Sequence, residues 1–368
     1  MVLKKIFANW HTAAMLLLLF FCICFAGSIQ TETQAALTRC MTVIIPSLYA
    51  MMILSQILLE SGIWRSLALP FRKISIKWFG ISEEYFGIFL LSQFAGYPVG
   101  AGMLCSLVKQ GDLSRRDAER LLCVCYGGGP AFLLGLLGDI SSRMPIAGVM
   151  YGAILLTNLL FAAILFHKNP IVSHTKREDT AVSVSAQMLV GCTASAGKTL
   201  LRLCGVILSF SAVCGILQAS GLLHILDAAA EKAEMPFPCS DMLCCLLEIS
   251  NCTTLSIPFL WRIPFLTTLL SFGGVCVLLQ VQAVIGDCFS MKKAVFCRIA
   301  AGVISGILCG ISLCVLPVSL PNGAVMASAV PQVTSRSTFP VLMLLCMMLL
   351  VFREEYALQN HKKNREIA

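Results

Sequence analysis

The chain has 368 residues, of which 58% are hydrophobic and 12% charged, and it carries a formal net charge of +8. Soluble domains hold about 45–50% apolar and about 25% charged residues, so this composition excludes an ordinary soluble enzyme and makes lipid the expected solvent. The positive balance does not indicate nucleic acid, because the basic residues sit in short clusters between apolar runs, as cytoplasmic loops do.

Apolar runs near the length needed to cross a bilayer, roughly 17–25 residues, recur near residues 10–29, 40–59, 121–138, 146–166, 203–223, 264–286, 299–317 and 338–352. The first follows Lys4 and Lys5 and resembles a signal peptide ending at Phe25-Ala26-Gly27. Because further runs follow at once, it is expected to remain as an anchored span. Two more segments, Tyr85 to Val108 and Asp241 to Leu260, are long enough to cross but are broken in the middle. Gly96, Pro98, Gly100 and Gly102 interrupt the first; the second carries Glu248, Ser250, Asn251, Thr253 and Thr254 before Pro258.

Irregular backbone at membrane depth is tolerated only where protein or a water-filled cavity satisfies its polar groups, so both segments are expected to be re-entrant hairpins. The basic residues favour this. With a cytoplasmic N-terminus and each hairpin returning to its own side, all but Arg39, Arg143, Lys232, Arg262 and Arg336 of the 27 Lys and Arg fall inside, Arg298 among them. Crossing segments would divide them almost evenly, against the positive-inside rule. Both termini are then cytoplasmic.

Two halves can be matched. Ile57-Leu58-Leu59-Glu60-Ser61-Gly62-Ile63 aligns with Ile216-Leu217-Gln218-Ala219-Ser220-Gly221-Leu222, and the run from Gly128 to Leu134 aligns with that from Gly273 to Leu279. The predicted fold is an all-α polytopic membrane protein with about eight transmembrane helices and two re-entrant hairpins in an inverted repeat, an arrangement known from secondary transporters. Residues 1–39 form the anchor span, 40–166 the first repeat, 167–199 a polar cytoplasmic linker, 200–317 the second repeat, and 318–368 a last span and tail.

The candidate substrate-binding residues are the polar and helix-opening groups at membrane depth. Glu248 lies in an apolar stretch where a charge costs several kcal/mol unless paired, hydrated or protonated. It is a candidate to take up a proton or bind a coupling cation, or else it caps a bend. Ser250 and Asn251 follow it. Ser92, Gln93, Gly96, Tyr97 and Pro98 occupy the matching place in the first hairpin, where opened amides could receive a carboxylate, although small residues there also serve close helix packing. Gly127, Gly128 and Gly129 with Pro130, and Gly273 with Gly274, carry the same two readings; Gln280 and Gln282 either face the cavity or bond a neighbouring helix.

Other signals are weaker. Gly197-Lys198-Thr199 lacks the leading glycine and strand of a phosphate loop, and the five histidines show no HExxH spacing. The 19 cysteines show no CxxC or metal-ligand spacing and are expected as small core residues, with no disulfide, metal or cofactor. Ser114 to Asp117 has the spacing of a helix cap. With no nucleophile, base and metal constellation, an enzyme ranks behind both a transporter and a membrane scaffold.

Phe94-Ala95-Gly96-Tyr97-Pro98-Val99-Gly100-Ala101, then Lys109-Gln110-Gly111-Asp112-Leu113-Ser114 with Ala118 to Leu122, then Gly129-Pro130-Ala131-Phe132-Leu133-Leu134-Gly135, resemble the YlbJ/SpoVV-type sporulation integral membrane proteins, within the nucleoside-recognition (gate) domain family. The resemblance spans nearly the full length, including Leu247-Glu248-Ile249-Ser250. One departure is that asparagines commonly precede the Gly-Pro pair in that family, where this chain has Tyr126, Gly127 and Gly128. The resemblance implies transport of dipicolinate, a small aromatic dicarboxylate, across a membrane of the developing spore, such as the outer forespore membrane. Nucleoside-like solutes are the alternative. The implied partners are a small-molecule anion and the lipid bilayer.

Overall fold

A computed structural model describes residues 2–65, 69–137, 140–171, 185–233, 238–255 and 258–315. The described residues are helical, with no β-strand beyond an isolated bridge between Ile81 and Ile171. The expected span 338–352 and the cytoplasmic tail lie outside them.

After α1 (Val2–Cys24), α2 (Ala26–Arg39), a π-turn (Cys40–Ile44) and α3 (Ile45–Glu60) form one helical run from Ala26 to Glu60. The expected spans 10–29 and 40–59 leave 30–39 between them, and no Gly or Pro interrupts residues 28–45. Thr31, Thr38 and Thr42 return their hydroxyls to carbonyls four residues earlier, at 3.0, 3.0 and 2.8 Å. The π-turn loosens the ladder just before Pro46, which has no N–H to donate. A short irregular stretch containing α4 (Arg72–Ile74) leads to α5 (Glu83–Ala95), which turns sharply at Gly96 into α6 (Tyr97–Gln110). The pair folds back on itself: the Tyr85 hydroxyl, at the start of α5, donates to the Asp112 carbonyl just past α6 at 2.6 Å.

α7 (Arg115–Leu122) starts with the expected cap, Ser114 Oγ accepting from the Asp117 amide at 3.1 Å. Here the structure corrects the sequence: residues 121–138 are not one span. Non-helical backbone from Cys123 to Gly129 divides α7 from α8 (Pro130–Leu137), and three successive glycines before Pro130 disfavour helix up to the start of α8. α9 (Ile140–Phe166) follows. α10 (Ala186–Ala219), capped by Ser185, takes its first turns from what the sequence reading assigns to the polar linker. Then come α11 (Leu222–Lys232), α12 (Cys239–Leu247), a 3-10 turn (Ile249–Thr254), α13 (Phe259–Phe272), α14 (Gly274–Ile285) and α15 (Lys292–Val315).

Among the described residues, five helical stretches are long and apolar enough to cross a membrane: Ala26–Glu60, Pro145–Phe166, Ala186–Ala219, Leu260–Ile285 and Lys292–Val315. The division at 123–129 removes one of the eight expected spans, and the expected span 338–352 lies outside the described residues.

The polarity of these helices is inside out relative to a soluble protein. On α15, Phe296, Val303 and Ile307 are 76, 51 and 56% exposed, while Arg298 and Ser305 on the other face are fully buried. Such a surface would aggregate in water but is ordinary in hydrocarbon, so the chain is an all-α, multi-pass membrane protein. Lipid tails are as apolar as leucine, so helix association depends on close packing of small residues. Gly302, Gly306 and Gly310 of α15 supply it, lying against Thr268 and Pro264 of α13.

The structure also brings Cys105 of α6 against Cys288 after α14, their Cα atoms 6.1 Å apart although 183 residues separate them in the chain.

Candidate functional site

Four helix breaks meet inside the molecule: Gly96 between α5 and α6, residues 123–129 between α7 and α8, Glu248 after α12, and Gly273 between α13 and α14. Their contacts are close. Gly129 has φ +65°, and a Cβ there would stand 2.8 Å from the Phe94 carbonyl oxygen at the end of α5. Gly273 has φ +94°, and its Cβ would meet the Tyr126 hydroxyl at 2.5 Å. Only glycine satisfies both the conformation and the approach at these points. The Tyr97 hydroxyl donates to the Leu270 carbonyl near the end of α13, joining the first break to the fourth.

Two polar clusters fill this junction. In the first, Gln93 Nε2 donates to the Val124 carbonyl at 3.0 Å, and Asn158 Nδ2 of α9 donates to Gln93 Oε1 at 2.7 Å. Asn158 Oδ1 in turn accepts from Arg298 Nη1 at 2.6 Å. Arg298 is fully buried, and no carboxylate touches it among the described residues. Its remaining donors reach the Cys123 carbonyl at 3.2 Å, the Ser271 carbonyl at 3.1 Å from Nε and 2.5 Å from Nη2, and Ser271 Oγ at 2.8 Å. All five guanidinium N–H groups are therefore used.

The carbonyls that Arg298 receives are terminal ones. Cys123 is the C-cap of α7, and Ser271 lies in the last turn of α13. Helix C-termini carry partial negative charge, so two helix ends converging on one guanidinium explain how it is buried without an acid. The Tyr126 ring, 5.0 Å from the Arg298 carbon, adds a cation–π face. The Tyr126 hydroxyl itself is buried and has no hydrogen-bond partner among the described residues.

The second cluster surrounds Glu248, which is 1% exposed and adopts an extended conformation between α12 and the 3-10 turn. Its Oε1 accepts from the Ser250 amide at 3.0 Å and its Oε2 from the Ser250 hydroxyl, so it does cap the bend. Arg39 donates from Nε to Ser250 Oγ at 3.0 Å and from Nη2 to Asn251 Oδ1 at 2.8 Å, and lies 3.9 Å from Glu248 Oε2. Ser250 thus bridges guanidinium and carboxylate. Asn251 also donates to the Cys244 carbonyl at 3.3 Å.

Two cavities flank Tyr97. One, a narrow slot of about 20 Å³, is lined by Tyr97 and Pro98 of α6, Glu248, and Cys276, Val277 and Gln280 of α14, with apolar walls from α3, α8 and α10. The other, about 10 Å³, is lined by Gln93, Gly127, Gly128 and Gly129 with Tyr151 and Leu270. A Cβ on Gly128 would sit 2.7 Å from the Tyr97 hydroxyl, so this ring separates the two spaces.

The sequence-predicted residues therefore share one junction but not one surface. Ser92 bonds its own helix at Phe89 and sits against Gly100, which is the packing role. Gly96 is the turn of the first hairpin; Ser250 and Asn251 face Arg39; Gly273 and Gly274 join α13 to α14, Gly274 lying near the Leu246 carbonyl. Gln280 faces the cavity, whereas exposed Gln282 donates to its own helix end at Gly286.

Arg39 and Arg298, counted as loop charges in the sequence reading, belong instead to these interior clusters, and Asn158 and Tyr126 join them. Asn158 had a signal, being an amide inside an otherwise apolar span.

Comparison of the chain with protein-family models, with curated proteins and with solved structures returns no match. Fold and site together define an all-α membrane protein with a polar, broken-helix interior.

Proposed function

We propose that this chain is a secondary transporter or facilitator for a small polar solute in the cell membrane. The first candidate is a small organic anion, with dipicolinate, the solute implied by the family resemblance, as the compound to assay first. The observation that carries this reading is the meeting of four helix breaks around buried Gln93, Asn158, Glu248 and Arg298. Discontinuous helices meeting at one level are how such transporters expose backbone dipoles and carbonyls to a solute near the midplane.

The order of elements supports an inverted repeat with two re-entrant hairpins, and the positive-inside count supports cytoplasmic termini. Long helix, short helix, broken pair, broken pair and long helix run from α3 to α9, and a similar order runs from α10 to α15. In this reading Tyr97 is the partition a solute must displace, and the narrow slot beside it is a closed state.

A second reading, transport of a neutral nucleoside-like solute, is favoured by the slot's lining, which includes a carboxylate and an amide but no lysine, arginine or histidine. Purified protein in liposomes, tested for flux of radiolabelled dipicolinate and a nucleoside panel, decides between them. Uptake of a solute that is lost in Glu248→Leu supports transport. No flux of any solute, together with spore formation undisturbed by Glu248→Leu, would leave the non-transporting scaffold.

A further inference from the structure

We infer that Glu248 is a proton-binding site and that the slot loads an anionic solute together with one proton. This rests on the anion-transport reading above. The physical problem is set by the lining: Glu248 is the slot's carboxylate, and no cationic side chain lines it. An anion entering so enclosed a space meets a like charge where water is too scarce to screen it. Either the carboxylate is neutralised or the anion is excluded.

The surroundings of Glu248 are built for two protonation states. With the slot empty, the carboxylate accepts from the amide and the hydroxyl of Ser250, and that hydroxyl accepts in turn from Arg39 Nε. Negative charge on Glu248 is thus balanced by Arg39 through one shared serine. When a proton adds to Glu248 Oε2, that oxygen becomes a donor, and the Ser250 hydroxyl loses its acceptor and rotates. Arg39, already within 3.9 Å of the same oxygen, is then left with positive charge to offset the incoming anion. The proton comes from the aqueous side with the solute and leaves with it, so no other reactant is required.

The other groups facing Glu248 do not substitute for it. They are Arg39 from α2, the thiols of Cys40, Cys214 and Cys276 from three neighbouring elements, and Cys245 and Cys252 from its own segment. Tyr97 closes the remaining side, with its hydroxyl committed to Leu270. None is a second carboxylate, and Arg39 is the cation among them.

The test is isothermal titration of the purified full chain with dipicolinate in buffers of different ionisation enthalpy, which reads binding and proton uptake together. The expected result is one proton taken up per dipicolinate bound by the natural protein and none by Glu248→Gln. Glu248→Asp keeps a carboxyl one methylene shorter and should retain uptake with its half-maximal pH displaced. Binding without proton uptake, equal uptake by Glu248→Gln, or a Glu248→Asp profile identical to that of the natural protein would each overturn the proton site alone. Absence of dipicolinate binding to the natural protein would instead remove the anion-transport reading, and this inference with it.

Discussion

Replacing Arg298 is the most direct probe of how the interior is held. Arg298→Met keeps much of the side-chain length and removes the charge and all five donors. It strands the Cys123 carbonyl, the Ser271 carbonyl and Asn158 Oδ1, while Ser271 Oγ keeps the Ser305 hydroxyl at 3.0 Å. Three stranded buried acceptors at about 1 kcal/mol each, the low end for such groups, come to roughly 3 kcal/mol. Relief of guanidinium desolvation opposes this, but the helix termini and the Tyr126 face already offset part of that penalty, so net destabilisation is expected. Arg298→Lys retains charge and three donors without the planar fork, and should cost about half as much. Thermal unfolding in detergent should show a drop on the order of 3–5 °C for Met and a smaller one for Lys. A double-mutant cycle with Asn158→Ala adds a sharper criterion, since residues bonded at 2.6 Å should couple by about 0.5–3 kcal/mol. A methionine variant as stable as the natural protein, or additivity within about 0.5 kcal/mol, would refute the shared-cap account.

Tyr126→Phe removes a buried hydroxyl without a partner while keeping the ring on Arg298, so it should raise stability by about 1 kcal/mol, read as a higher unfolding temperature. Gly273→Ala should lower stability by about 1–3 kcal/mol, because φ +94° disfavours a side chain and the new Cβ meets the Tyr126 hydroxyl. Combining it with Tyr126→Phe removes the clash but not the backbone strain, so partial recovery is expected; full additivity would contradict that contact. At the surface, Lys293, 3.0 Å from Glu119, and the Ser290 amide hold the Glu119 carboxyl below its ordinary value of 4.5. A depressed carboxyl stabilises the fold above its unfolded value and loses that contribution as pH falls through the folded one. The stability difference between natural protein and Glu119→Gln should therefore be present at neutral pH and vanish on acidification below the carboxyl range; a difference that persists in acid contradicts the assignment.

What the sequence made legible was polarity out of place. Glu248, Gln93 and the glycines before Pro130 stand in apolar runs, and each marks a real break or interior polar group. Arg39 and Arg298 were misread because each lies near the end of an apolar run, where a basic residue normally belongs to a loop. Their burial depends on the face each presents, and for Arg39 on a polar stretch remaining helical through threonine back-bonding. Asn158 was readable as an amide in an apolar span. The link from Asn158 to Gln93, however, crosses 65 residues, and nothing local encodes it. The break after Leu122 is hidden in the sequence by the apolar residues on either side of its glycines, which together have the length of a span.

Arg298 ties α7, α9, α13 and α15 together through one planar group. On the transport proposed above, an opening that leaves these bonds intact would fall at α12 with its following 3-10 turn. The 3-10 turn is held by Arg39 through Ser250 and Asn251, bonds that a change of charge at the neighbouring carboxylate would alter, while α12 is tied to α11 by Ser240 donating to Asp227 at 2.9 and 2.6 Å. The molecule thus places a permanent weld and a releasable clasp on opposite sides of Tyr97.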